Sequence, residues 1–136
     1  MKFNLFSIVF LIMLLSITLV ACINDDLDYD DFPHIDDFSE LDEYDETGDI
    51  YLVYIYVPSC PACQDIFDDI VRFNIDHSEE YPMVFSHGTS GTPPAAVRYV
   101  PTILVMQDGD VLEDPIVGPG PVLELLDDMA EGNYTP

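Results

Sequence analysis

Cys60 and Cys63 stand two residues apart in VPSCPACQDIF, residues 57–67, with Pro61 and Ala62 between them. Two thiols at that spacing can form a reversible disulfide, or supply half of a tetrahedral zinc site, or pair by accident. The apolar run IYLVYIY ends just ahead of them and a helically spaced segment follows. The pair therefore falls where a strand hands over to a helix. Unpaired backbone N–H groups and the macrodipole at a helix start favour an anion, which makes Cys60 the more exposed thiol and the expected nucleophile. Pro61, at the first helical position, needs no hydrogen bond for its nitrogen. Cys63 lies one turn further in, close enough to resolve a mixed disulfide formed on Cys60.

The zinc reading lacks partners. There is no second CxxC, and His34, His77 and His87 show no paired ligand spacing. Each histidine is read as a lone surface side chain, and no metal is expected. No cofactor is expected beyond the Cys60–Cys63 disulfide itself.

The elements that must position this pair can be read around it. IYLVYIYV, residues 50–57, is too short for a buried helix and fits a central strand covered on both faces, stopped by Pro58. From Cys60 to about Asp76, the residues Ile66, Phe67, Ile70, Val71 and Phe73 form one apolar stripe of a helix. Upstream, Asp37 and Glu40 form a capping box for a short helix ended by Gly48. Downstream, PMVFSH (82–87) is a second strand and GTSGTPP (88–94) a loop. AAVRYV (95–100) could hold a helical turn. TILVM and VLEDPIV flank QDGD, where Asp108–Gly109 signals a tight hairpin. After Gly118-Pro119-Gly120, the residues Val122, Leu125, Leu126 and Met129 repeat at helical spacing. The expected order is α-β-α-β-α-β-β-α, a mixed α/β domain with a hairpin at the sheet edge.

Length and composition set the compartment. The 136 residues suffice for one domain. MKFNLFSIVFLIMLLSITLVAC has one early Lys2 and then no charge from Phe3 to Ala21, the pattern of an export signal. Its apolar stretch could also span a bilayer as an uncleaved anchor. LVAC, Leu19 to Cys22, resembles the lipobox of bacterial lipoproteins, in which the cysteine is lipidated and becomes the new N-terminus. The expected division is a signal peptide over 1–21, an acidic tether over 22–35 lipidated at Cys22, and a domain over 36–136. Both readings of the leader put the domain outside the cytoplasmic membrane. Tyr29 and Phe32 hint that the domain begins inside the tether stretch.

The chain has 27 acidic residues against three basic ones, a net charge of −24. After Lys2 the bases are Arg72 and Arg98. Such a surface repels nucleic acid and anionic lipid heads, so nucleic-acid binding is excluded. A solvated acidic coat is the expected reading, ahead of a specific cationic partner.

From about Asp36 to Met129 the chain resembles the thioredoxin superfamily. The match is carried by the strand followed by CPAC at 60–63, by YVPTILVMQDGDVL at 99–112, and by Val117-Gly118 with the terminal helix. The resemblance implies a thioredoxin-like fold, with a central mixed sheet of about four strands flanked by helices. It implies catalysis by Cys60, Cys63 and Pro101, the last following a cis Val100–Pro101 bond opposite the CxxC. It also implies a substrate surface of Val100, Pro61, Ala62 and Gly118, where the Val100 backbone pairs with an incoming peptide. Three positions depart from the common family pattern: Ser59 replaces a Trp, Gln64 a lysine, and Tyr54 a buried acid that helps deprotonate the resolving thiol.

The expected function is extracytoplasmic, membrane-tethered thiol–disulfide exchange on exported proteins, with a membrane or extracytoplasmic redox partner. The alternative is a non-enzymatic surface lipoprotein that uses the fold as a binding scaffold. Copper handling by the thiols with Met106 is a third option, although Met106 lies in an apolar strand and reads as core.

Overall fold

The computed structural model describes residues 27–88 and 91–136, so Cys22 and the apolar leader lie outside the described residues. The apolar run in front of the cysteines forms β2 (Tyr51–Tyr56), whose six residues are all buried. β2 is the centre of the sheet. It pairs in parallel with β3 (Met83–His87) and antiparallel with β4 (Thr102–Gln107), with Tyr54 facing Phe85 on one side and Ile103 on the other. Short strands extend both flanks: β1 (His34–Ile35) lies beside β3, while β5 (Asp110–Val111) and β6 (Ile116–Val117) each pair with β4.

Alternation along β2 divides the core into two layers. Leu52, Tyr54 and Tyr56 pack with Cys63, Ile70, Phe73, Phe85, Leu126 and Met129 on one face. Tyr51, Val53 and Ile55 pack with Ile35, Leu41, Val84, Leu104 and Met106 on the other. Burial on both faces is what a continuous apolar strand requires. Met106, 1 % exposed, belongs to the face away from Cys63, which removes it from any shared copper site with the thiols.

Four local features differ from expectation. The stretch assigned to the tether is partly structured: Asp28 caps a 3-10 turn over Tyr29–Asp31, Tyr29 is 4 % exposed, and β1 joins the sheet. Among the described residues, the packed structure thus reaches back past residue 36 to Asp28, because a buried aromatic anchors an otherwise acidic segment. Upstream of β2, the capping box at Asp37 and Glu40 starts a 3-10 turn (Phe38–Leu41) that passes into α1 (Asp42–Asp45). The helix after the cysteines is split into α2 (Pro61–Asp65) and α3 (Phe67–His77), joined at Ile66, which caps both and is 3 % exposed. No helical turn forms over AAVRYV. Pro101 disfavours helical dihedrals at Val100, and Ala95 and Val97 instead pack against the second core layer.

The hairpin at Asp108–Gly109 forms as its sequence dictates. Both residues have positive φ, 51° and 81°, as a type I′ turn demands. The strand that follows is broken into β5 and β6, with Pro115, which has no N–H to donate to a ladder, just before β6. The chain closes with α4 (Pro119–Ala130), which buries Val122, Leu125, Leu126 and Met129.

Candidate functional site

The handover from β2 to α2 sets the two sulfurs at different depths. Cys60 is the N-cap of α2 with extended dihedrals, φ −81° and ψ 115°, and is half-buried. Its sulfur accepts a hydrogen bond from the Cys63 backbone N–H at 3.3 Å. Cys63, one turn on, is 0 % exposed. Both cysteines are free thiols in this structure. Gln64 donates from Nε2 to the Pro58 carbonyl at 2.8 Å and closes the loop around the pair. Pro61 is exposed and Ala62 partly so, forming the outward rim.

Burial pushes the Cys63 thiol up to about 12, and a hydrogen bond with Cys60 adds to the rise, while a hydrogen bond with the Val57 backbone pulls the other way. Tyr54, where the resemblance to thioredoxins places a buried acid, is 0 % exposed, and burial raises its hydroxyl far above the ordinary range. It therefore acts at neutral pH as a hydrogen-bond donor and not as a base. The Tyr29 hydroxyl donates to the Cys63 carbonyl at 2.7 Å and lies 3.0 Å from the Tyr54 hydroxyl. A phenol has one proton, so Tyr54 donates to Tyr29. A two-tyrosine relay thus backs the inner cysteine, and half of it comes from the segment expected to be a tether.

Across from Cys60 lies the Val100–Pro101 bond, which is cis. The Cys60 sulfur is 3.8 Å from the Val100 carbonyl oxygen. Pro101 is buried, and its carbonyl accepts from the Gly118 N–H at 2.8 Å, so residues far apart in sequence meet here. Thr102, fully buried, donates from its hydroxyl to the Tyr99 carbonyl at 2.7 Å and fixes the turn. The structure brings together Cys60, Cys63, Val100, Pro101 and Gly118. Beside them it exposes two apolar side chains that spacing alone did not single out, Tyr99 at 72 % and Val117 at 38 %.

Gly118 has φ 95° and ψ 159°, a region essentially reserved for glycine. Gly118→Ala is expected to destabilise the domain by about 1–3 kcal/mol, read as a lower urea midpoint with unchanged slope. An unchanged midpoint would show that the backbone there relaxes freely.

Asp65, Asp68 and Asp69 follow the pair on exposed positions.

The histidines depart from expectation. His34 and His87 are not isolated: with Asp30 they form the one group of three or more potential metal ligands found converging among the described residues, and neither Cys60 nor Cys63 belongs to it. Their separation in sequence hid the grouping. Only the pairing of β1, β3 and β2 produces it.

No family model matches this chain, and no curated protein matches it in sequence. Solved structures do. The mitochondrial thioredoxin 3 of Saccharomyces cerevisiae, in its oxidised form, is 17 % identical over 76 % of this chain and 97 % of its own, with a TM-score of 0.61. The Malassezia sympodialis thioredoxin is 13 % identical over 75 % and 93 %, with a TM-score of 0.62. The Trypanosoma brucei brucei thioredoxin is 12 % identical over 80 % and 99 %, with a TM-score of 0.60. At these identities the likeness concerns the fold alone. The chain has a thioredoxin-like fold, a mixed sheet flanked by helices with a CxxC pair at the start of a helix.

Proposed function

We propose that this chain is a thiol–disulfide oxidoreductase, tethered outside the cytoplasmic membrane through lipidated Cys22 and acting on exported proteins. The observation that carries this reading is the asymmetry of the pair: a half-buried sulfur at position 60 facing the Val100 carbonyl, and a fully buried one at position 63.

In the reductive direction the Cys60 thiolate attacks one sulfur of a substrate disulfide. The substrate S–S bond breaks, its other sulfur leaves as a thiolate that takes up a proton, and a mixed disulfide forms on Cys60. Cys63 then loses its proton and attacks the Cys60 sulfur, releasing the second substrate thiol. The substrate gains two electrons and two protons, and Cys60–Cys63 is left as a disulfide. The oxidative direction is the same sequence reversed, and the potential of the redox partner sets which one runs. Val100 offers its backbone to the substrate chain, while Tyr99, Val117, Pro61, Ala62 and Gly118 form the surface it crosses. The acidic tether holds this surface near the membrane: with Asp28 already packed, the six residues from Cys22 to Leu27 reach at most roughly 20–22 Å.

The test is reduction of insulin disulfides by the full chain in detergent with dithiothreitol as electron source, together with the reduction potential of the 60–63 pair. Turnover supports the enzyme, and the potential assigns its direction. Absence of turnover combined with a disulfide that resists dithiothreitol would favour the binding scaffold instead.

A further inference from the structure

We infer that Asp30, His34 and His87 form a binding site for a divalent transition cation, zinc by its geometry, where the start of β1 lies beside the carboxyl ends of β3 and β2. The three side chains come from three separate pieces of the chain. Asp30 lies in the 3-10 turn that Asp28 and Asp31 hold in a reciprocal capping box, His34 is in β1, and His87 ends β3. One donor atom from each lies within 4.8 Å of the others. The Asp30 carboxylate oxygen is 4.0 Å from His34 Nε2 and 3.8 Å from His87 Nε2.

The Tyr56 hydroxyl, at the end of β2, occupies the fourth corner. It lies 2.6 Å from His34 Nε2, 3.2 Å from the Asp30 oxygen and 3.5 Å from His87 Nε2. Zinc with ligands at 2.0–2.1 Å in a tetrahedron needs donor–donor edges of about 3.3 Å. These five edges, 2.6 to 4.0 Å, lie on both sides of that value, so closing them on an ion takes side-chain shifts of up to about 0.7 Å.

A second observation concerns His34. Its Nδ1 lies 2.8 Å from the Phe32 carbonyl, which can only accept, so Nδ1 carries the proton. In the neutral ring this makes Nε2 an acceptor facing the cluster, where the Tyr56 hydroxyl donates to it at 2.6 Å and an ion would take that proton's place. A backbone carbonyl holding the far ring nitrogen is the outer-shell arrangement that orients metal-bound histidines. Two imidazoles with oxygen donors suit zinc, and the net charge of −24 concentrates cations around the chain. The side chain of His87 is 40 % exposed and that of Asp30 73 %, which leaves an open path for entry. An ion here would clamp the segment that carries Tyr29 onto the sheet.

The inference stands apart from the redox reading, and its test holds the thiol pair out of play. Zn²⁺ is titrated into the full chain in detergent, carrying Cys22→Ser and with Cys60–Cys63 oxidised, in competition with a chromogenic chelator. One equivalent is expected to bind, with affinity lowered by more than about tenfold in His87→Ala and in Asp30→Asn and unchanged in His77→Ala. Histidine NMR on the otherwise unaltered chain needs no folded variant: Zn²⁺ is expected to shift the imidazole signals of His34 and His87 and to spare His77. Equal affinity in all three variants, or shifts that do not single out His34 and His87, would overturn the site and leave only diffuse attraction to the acidic surface.

Discussion

Cys60→Ser is expected to lower insulin-disulfide reduction by at least ~100-fold, because a serine hydroxyl is a far weaker nucleophile than a thiolate. Position 60 is an N-cap whose side chain accepts a backbone N–H, a role serine fills well. The variant should therefore keep the stability of the parent, and thermal unfolding followed by circular dichroism checks this. Cys63→Ala should act differently. It leaves the attacking sulfur in place and removes the resolving one, so the protein is expected to accumulate as a mixed disulfide with its substrate, visible by mass spectrometry. Alanine is preferable to serine there, since a hydroxyl would enter the core layer formed by Tyr54, Ile66 and Phe85. If Cys60→Ser retains turnover while Cys63→Ala loses it, the roles of the two sulfurs are reversed and the depth argument fails.

The second large effect is in the pH dependence of resolution. Cys63 reacts as its thiolate, and burial first, then the bond to Cys60, pushes its thiol from an ordinary 9.0 up to about 12. The sign follows directly. Between pH 7 and 9 the group stays protonated, so each unit of pH multiplies the thiolate fraction about tenfold. Decay of a preformed mixed disulfide on Cys60 should speed up by about 100-fold across that range without levelling. The contribution from Cys60 falls away once that sulfur is bound to substrate, but the larger one, burial, remains. A thiol at its ordinary value would start to level by pH 9. A plateau at or below that pH would mean that a base assists Cys63, and Tyr54, held as a hydrogen-bond donor, could not be that base.

These two expectations share a physical origin. Tyr54 stands where the resemblance to thioredoxins places a buried acid, and a phenol in a dry core cannot take a proton at neutral pH. The inner thiol is then slow to ionise unless its hydrogen bonds change. Tyr54 has one proton, directed to Tyr29 while Tyr29 holds the Cys63 carbonyl. Redirecting that proton to a forming sulfur anion would be compensated only by losing the bond between the two phenols, which limits the help this arrangement can give.

The features legible in the residues alone are those governed by local rules. A run of eight apolar residues must be covered on both faces, so β2 and its central place followed from IYLVYIYV. Proline after the first cysteine and helical spacing beyond it placed Cys60 at a helix start, and Asp-Gly dictated the hairpin through its positive φ values. Tertiary structure decided the rest, because it depends on which distant segments share an edge. Asp30, His34, Tyr56 and His87 are silent as a pattern until parallel pairing aligns His34 with Phe85 and Tyr56 with His87. The docking of the stretch ahead of residue 36 was likewise set by one ring: Tyr29, flanked by carboxylates, gains enough from packing against Tyr54, Tyr56 and Phe67 to draw its acidic neighbours onto the fold. Burial of that ring is a property of the assembled core, and no window of the chain around residue 29 contains it.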